Sequence, residues 1–87
     1  METRVAVISI IAESRDSATQ INALLHETGS YIIGRMGLPY KEKGVNIISV
    51  AIDAPQDIIN NLAGKIGRLN GVSAKTVYSN IINKADT

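Results

Sequence analysis

The side chains that could support acid–base or nucleophilic chemistry are few. Ser9 and Ser49 lie in two runs rich in β-branched residues. Each serine is followed four residues later by an acidic residue, Glu13 after Ser9 and Asp53 after Ser49. A serine nucleophile needs a general base within hydrogen-bond reach, and His26, the single histidine, forms no plausible constellation with these residues. The two acidic residues are more simply explained as helix-start residues. The sequence therefore predicts no catalytic residue, and we expect the protein not to be an enzyme.

Metal chemistry has equally few candidate ligands. The chain contains no cysteine, which excludes disulfides, thiolate nucleophiles and zinc or iron–sulfur sites built on thiolates. His26 would need other ligands close by, so we interpret it as a surface or half-buried helix residue. We expect no metal site and no cofactor.

Anion binding is the third chemistry to consider, and it depends on glycine and arginine. Arg35 lies between Gly34 and Gly37, where the glycines permit a bulge or a close backbone approach and the arginine could hold an anion. The alternative is that these glycines only bend an edge strand before its turn. Gly64 and Gly67 fall inside a helical apolar period, so they do not form a dinucleotide-binding loop, which precedes its helix.

The composition fits one small domain. The 87 residues include 9 Lys and Arg against 8 Asp and Glu, and 45% of them are hydrophobic. The resulting net charge of +1 gives little general attraction for nucleic-acid phosphates. No apolar run approaches the ~20 residues that span a bilayer, and the first residues do not resemble a signal peptide. We therefore expect a cytoplasmic protein without membrane contact.

Hydrophobic periodicity predicts six elements in the order βαββαβ. The predicted strands cover residues 4–12, 31–36, 45–52 and 72–78, and the predicted helices cover residues 15–28 and 53–69. Residues 39–44 are predicted as a polar turn, because Pro39 cannot donate to a strand ladder. A faint repeat with a period of about 40 residues aligns Val5 with Val45 and Ile8 with Ile48.

Two βαβ units joined by a hairpin form a ferredoxin-like α+β sandwich, with a four-stranded antiparallel sheet and both helices on one face. We predict a single domain over residues 4–79 and a polar tail over residues 80–87, for which a short docked helix and a frayed end both stay open. The first strand carries apolar residues on both faces, so the sheet face opposite the helices would be exposed and apolar. We therefore expect a homo-oligomer, either a dimer or a tetramer.

The sequence also resembles a known family. The motifs that carry the resemblance are RVAVISI at 4–10, LLHE at 24–27, YIIGRMGLPY at 31–40, GVNIIS at 44–49, DAP at 53–55, LAGKIG at 62–67 and GVSAKT at 71–76. Together they are similar to the small regulators of the iron-only ([FeFe]) hydrogenase system over about residues 4–79. The resemblance implies an ACT-like, ferredoxin-like domain, similar in fold to the ligand-binding half of the nickel-responsive repressor. Unlike that repressor, this chain has no ribbon-helix-helix segment, and one histidine without cysteine does not reproduce its nickel site.

The resemblance implies a non-enzymatic regulatory domain. ACT-like domains usually hold ligands at a subunit interface, near the loop after the first strand and the neighbouring helix. By that analogy, the candidate ligand-binding residues are Glu13, Ser14 and Arg15, with Arg35 and Tyr40 from the other half. The implied partners are a second copy of the chain, a small-molecule effector and a hydrogenase-system protein.

Two other functions stay open at this point. The first is a purely structural interaction module, whose open sheet face binds another protein without any metabolite. The second, which the near-neutral charge disfavours, is nucleic-acid binding through a local set of basic residues. Those residues are Lys41, Lys43, Lys65, Arg68 and Lys75.

Overall fold

The computed structural model describes residues 2–82 and contains a four-stranded sheet that packs against two helices. The elements are β1 (Arg4–Ala12), α1 (Arg15–Glu27), a short 3-10 turn (Gly29–Tyr31), β2 (Ile32–Tyr40), β3 (Val45–Ala54), α2 (Gln56–Gly67) and β4 (Val72–Ile82). The strand order is β2-β3-β1-β4, and each neighbouring pair is antiparallel. The predicted ferredoxin-like βαββαβ arrangement is confirmed.

The pattern of burial along β1 separates the two faces of the sheet. Ile8 and Ile10 are fully buried, whereas Val7 and Ile11 are 37% and 46% exposed. Successive strand side chains point to opposite faces, so one face of β1 meets the helices and the other faces solvent. The buried helix residues that complete the aliphatic core are Ile21, Leu25, Ile59, Leu62 and Ile66.

The two helices begin in different ways. The Ser14 side chain caps α1 by accepting a hydrogen bond from the Ser17 backbone N–H at 3.1 Å, and the buried Ser17 hydroxyl donates to the Ser14 carbonyl at 3.0 Å. α2 follows Pro55 and has no side-chain cap. The sequence predicts that Asp53-Ala54-Pro55 starts α2 with Pro55 at its first position; the helix begins one residue later, and Asp53 and Ala54 still pair with β1.

β2 and β4 are longer than the sequence predicts. β2 continues through Pro39 to Tyr40, and the turn is confined to residues 41–44, where Gly44 has a positive φ of 67°. Proline is tolerated here because β2 is an edge strand. β4 runs to Ile82, so residues 80–82 of the predicted tail belong to the sheet, while residues 83–87 lie outside the described residues. Neither helix within residues 2–82 has the length and hydropathy of a membrane span.

Candidate functional site

Three connections lie at the same end of the sheet. The strand register places Ala12 beside Asn46 on one side and beside Val72 on the other. The Glu13 backbone N–H then donates to the Gly71 carbonyl at 2.8 Å, which joins the β1–α1 connection to the α2–β4 connection. We call this region the loop end; it comprises residues 13–14, 41–44 and 68–71.

A groove runs from the loop end between α1 and the β2–β3 hairpin. It has two parts, with cavity volumes of about 440 Å³ and 220 Å³, which fall in or near the range of small-molecule sites. Both parts are lined by Ala18, Asn22, Pro39 and Asn46. The larger part is also lined by Arg15, Thr19, Tyr40, Lys41, Gly44 and Val45. The smaller part is also lined by Arg35, Gly37, Leu38 and Ile48. We call this cavity the α1 groove.

A shift in strand register explains why the α1 groove is not filled by apolar side chains. The register of β2 against β3 is irregular between Ile32 and Gly34, and such a one-residue slip moves every later side chain to the opposite face. After the slip, Met36 lies opposite Ser49 on the face away from the helices. Gly37 lies opposite Ile48, on the helix side, and a Cβ at Gly37 would meet no atom within 4 Å. On its helix side β2 therefore presents Arg35, Gly37 and Pro39 to α1 in place of large apolar side chains.

The α1 groove carries positive charge. Arg15, Lys41 and Arg35 line it, and no Asp or Glu is among its lining residues within the described chain. The Arg35 guanidinium donates to the Asn22 side-chain carbonyl, which holds it against α1. The side chains of Arg15 and Lys41 make no hydrogen bond or ion pair with any residue of 2–82. Two cations that share one cavity without a carboxylate make it attractive to an anion.

The structure brings three of the five candidate ligand-binding residues to this groove. Arg15 and Tyr40 line its larger part, and Arg35 lines its smaller part. Ser14 caps α1 and lines a separate polar cavity of about 420 Å³, between the start of α1 and the end of α2. Glu13 is exposed and lines none of these three cavities. The candidate residues thus divide between two sides of α1.

Sequence reasoning missed several residues that line the groove. Thr19 and Asn22 follow Arg15 at the i+4 and i+7 positions, so helical spacing could have placed all three on one face of α1. Lys41 was less accessible to such reasoning, because its place beside the groove depends on the continuation of β2 through Pro39. The sequence assigns Lys41 only to a solvated turn and to the candidate nucleic-acid patch.

The five basic residues of that candidate patch do not lie on one face. Lys41 and Lys43 are in the turn after β2, whereas Lys65 and Arg68 lie at the end of α2. Lys75 lies on β4 opposite Ser9 of β1, on the face of the sheet away from the helices. These residues therefore do not form a continuous basic stripe that could follow a phosphate backbone.

The sheet face opposite the helices forms a second surface feature, which we call the open sheet face. Its apolar members come from all four strands: Val5, Val7, Ile11, Met36, Leu38, Ile47, Ala51 and Val77. A polar row crosses it, because Ser9 pairs with Ser49 on one side and with Lys75 on the other. Extended exposed apolar surfaces typically mark contact sites.

In the described part of the chain, His26 and the acidic residues form no cluster suited to a metal ion. His26 is exposed on α1. Within residues 2–82, no group of three or more His, Cys, Asp or Glu side chains could hold a metal.

Comparison with known proteins gives one family and several solved structures. The family described as "TM1266-like: Iron-only hydrogenase system regulator, putative" matches residues 4–76, which confirms the resemblance. The structure of the uncharacterized protein TM1266 from Thermotoga maritima is 35% identical, with a TM-score of 0.84 over 87% of this chain and 96% of that one. No protein with a curated description matches the chain.

Two more distant structures share the fold. The ACT domain from GTP pyrophosphokinase of Chlorobium tepidum is 18% identical, with a TM-score of 0.73 over 86% of this chain and 99% of that one. The C-terminal domain of the MgtC protein from Mycobacterium tuberculosis is 10% identical, with a TM-score of 0.70 over 93% of each chain. At these identities the likeness establishes an ACT-like, ferredoxin-like fold alone.

Proposed function

This chain belongs to the TM1266-like family, and we propose on that premise that it is a non-enzymatic regulatory domain that senses a small ligand in the α1 groove. The family description and the ACT-like fold support a regulatory role. The observation that carries the ligand proposal is the groove itself. It has the volume of a small-molecule site, and the cationic side chains of Arg15 and Lys41 line it without a protein partner among residues 2–82.

The proposed sensing unit is a homo-oligomer in the cytoplasm. The open sheet face supports the oligomer, because covering its half-exposed valine and leucine side chains removes apolar surface from water at about 25 cal/mol per Å². Face-to-face packing of two sheets leaves the α1 groove free, since the groove lies on the helix side. A tetramer that also used the β2 edge would place a second subunit beside the groove, as ACT-like sensing at a subunit interface requires.

Native mass spectrometry of the full chain, purified without denaturation, tests this function directly. One spectrum reports both the subunit number and any retained small molecule. We expect a multimer with a stoichiometric extra mass. A clean monomer contradicts the proposed oligomer, and a multimer without extra mass favours the second candidate function.

The second candidate is a structural interaction module, and the open sheet face is the observation that favours it. In that case a hydrogenase-system protein, a partner that only the family description suggests, would bind the sheet without any metabolite. Thermal unfolding separates the two functions. A ligand present at 100 times its dissociation constant adds about 2.7 kcal/mol to the stability of the folded state, whereas an interaction module gains nothing from small molecules.

A further inference from the structure

We propose that the α1 groove binds a small organic dianion, of the phosphate-monoester or dicarboxylate class, through Arg15 and Lys41. This inference rests on the proposed ligand-sensing function and names the class of ligand. Its starting point is the charge of the groove. Arginine and lysine side chains line the groove, and no carboxylate of residues 2–82 lies among its lining residues. An anionic ligand would therefore neutralise positive charge that none of these lining residues neutralises.

The neutral groups of the groove favour a ligand rich in acceptors. Asn22 uses its side-chain carbonyl to accept from Arg35, which leaves its NH₂ group as the part available to a ligand. The Thr19 hydroxyl already donates to the Arg15 carbonyl at 3.1 Å, so its oxygen can only accept from a ligand. The donors that a ligand can use are the arginine, lysine and amide N–H groups and the Tyr40 hydroxyl, and phosphate or carboxylate oxygens match them.

The division of the groove into two parts favours a ligand with one anionic group in the larger part and a second acceptor group, such as a hydroxyl or a carboxylate, in the smaller part. Arg15 and Lys41 line the larger part, and Arg35 lines the smaller part next to it. Pro39 lines both parts of the groove, and together with Tyr40 it offers apolar surface to the carbon skeleton of the ligand. A polymer is disfavoured, because the other basic residues lie on different faces of the molecule and the net charge is only +1.

Backbone amide NMR of the full-length protein tests this assignment. The probes are glycerol 3-phosphate, succinate and, as an uncharged control, glycerol, each titrated at low and at raised ionic strength. We expect saturable shifts at Arg15, Thr19, Asn22 and Lys41 with at least one anion, and none with glycerol. Binding of glycerol 3-phosphate alone assigns the phosphate class, and binding of succinate alone assigns the dicarboxylate class.

A pair of matched double variants separates a site from general attraction of charge. Arg15→Gln with Lys41→Gln removes two charges from the groove, and Lys43→Gln with Lys65→Gln removes two charges outside it. We expect the first pair to weaken binding at least about tenfold and the second to change it less than about twofold. Dispersed amide spectra of both variants verify that each is folded.

Two results overturn the inference. One is the absence of saturable shifts with either anion, and the other is equal weakening in both double variants. If native mass spectrometry then reveals a retained neutral molecule, the proposed anion is wrong while ligand sensing stands. If it reveals no retained molecule, the proposed function fails as well.

Discussion

The two edges of the sheet come from similar βαβ halves but meet their helices differently. On the β4 edge, Val72, Ala74 and Tyr78 pack against the core beneath α2. On the β2 edge, every residue from Ile33 to Tyr40 is exposed, and the α1 groove occupies the space between strand and helix. The two halves of a faint sequence repeat therefore pack differently. We call the β4 edge with α2 the closed side, and the β2 edge with the α1 groove the open side.

The register of β2 accounts for much of that difference. A shift of 40 residues aligns Met36 with Thr76 and Leu38 with Tyr78, and both β4 residues are partly buried on the helix side. The irregularity after Ile32 moves the two β2 residues to the open sheet face. The one-residue irregularity in β2 therefore creates the α1 groove. It also adds apolar surface to the open sheet face, which we propose to bind a second copy of the chain.

The largest expected effect comes from truncating a buried side chain on the closed side. Ile59 of α2 is completely buried, so Ile59→Ala should lower the free energy of unfolding by about 2–5 kcal/mol. The matched change on the open side, Ala23→Gly on the exposed face of α1, should cost only about 1 kcal/mol, from helix propensity. Urea denaturation of both variants measures the difference. Equal losses would mean that Ile59 contributes no more to stability than an exposed helix residue does, against its burial in the core.

Arg4 provides the next test, because it ties β1 to the closed side. Its guanidinium donates to the Gln56 side chain at 3.0 Å and to the Ser79 carbonyl at 2.9 Å, and it lies 4.8 Å from the centre of the Tyr78 ring. Its Nε is buried without a hydrogen-bond partner among residues 2–82, which offsets part of this gain. Arg4→Met should therefore lower the free energy of unfolding by roughly 1–2 kcal/mol.

Arg35→Met is the control for Arg4→Met on the open side. Arg35 makes a single exposed hydrogen bond to Asn22, so its loss should cost less than about 0.5 kcal/mol. Chemical denaturation of the two variants under one set of conditions gives the comparison. A larger loss for Arg35→Met than for Arg4→Met would contradict the assignment of the closed side to the β4 edge.

These differences show which features a sequence can reveal. β1 and α1 were predictable because their signals are local: a run rich in β-branched residues, then apolar residues at helical spacing. The end of β2 was predicted wrongly, because Pro39 cannot donate to a strand ladder and was assigned to the turn, although an edge strand tolerates proline. The groove also escaped prediction, because it depends on a register slip and on Arg35 reaching Asn22 across the gap between strand and helix.

The helix starts offer a smaller test of the same asymmetry. Ser14 caps α1 through its side chain, whereas α2 has no side-chain cap. Ser14→Ala should cost about 1 kcal/mol, and Ser14→Asp, which keeps an acceptor, should restore most of it. Thermal unfolding measures both. If Ser14 instead served mainly as a ligand contact, its loss would change ligand binding while stability stayed the same.

A side chain added at Gly37 would fill part of the α1 groove, and it is the change with the smallest expected effect on stability. A Cβ added there meets no atom within 4 Å, and the backbone does not have a positive φ, so Gly37→Val should change the free energy of unfolding by less than about 0.5 kcal/mol. Valine also favours a strand, which works against any loss. Its side chain would nevertheless occupy the smaller part of the α1 groove.

Gly37→Val should therefore weaken binding of a groove ligand at least about tenfold in an amide NMR titration. Gly29→Ala is the matched control, because a Cβ there also meets open space but lies outside the groove. If Gly37→Val bound the anion as well as the unchanged chain does, the ligand would not use the smaller part of the groove. Binding would then rest on the larger part alone, around Arg15 and Lys41, and the space that the register slip opens at Gly37 would have no role in sensing.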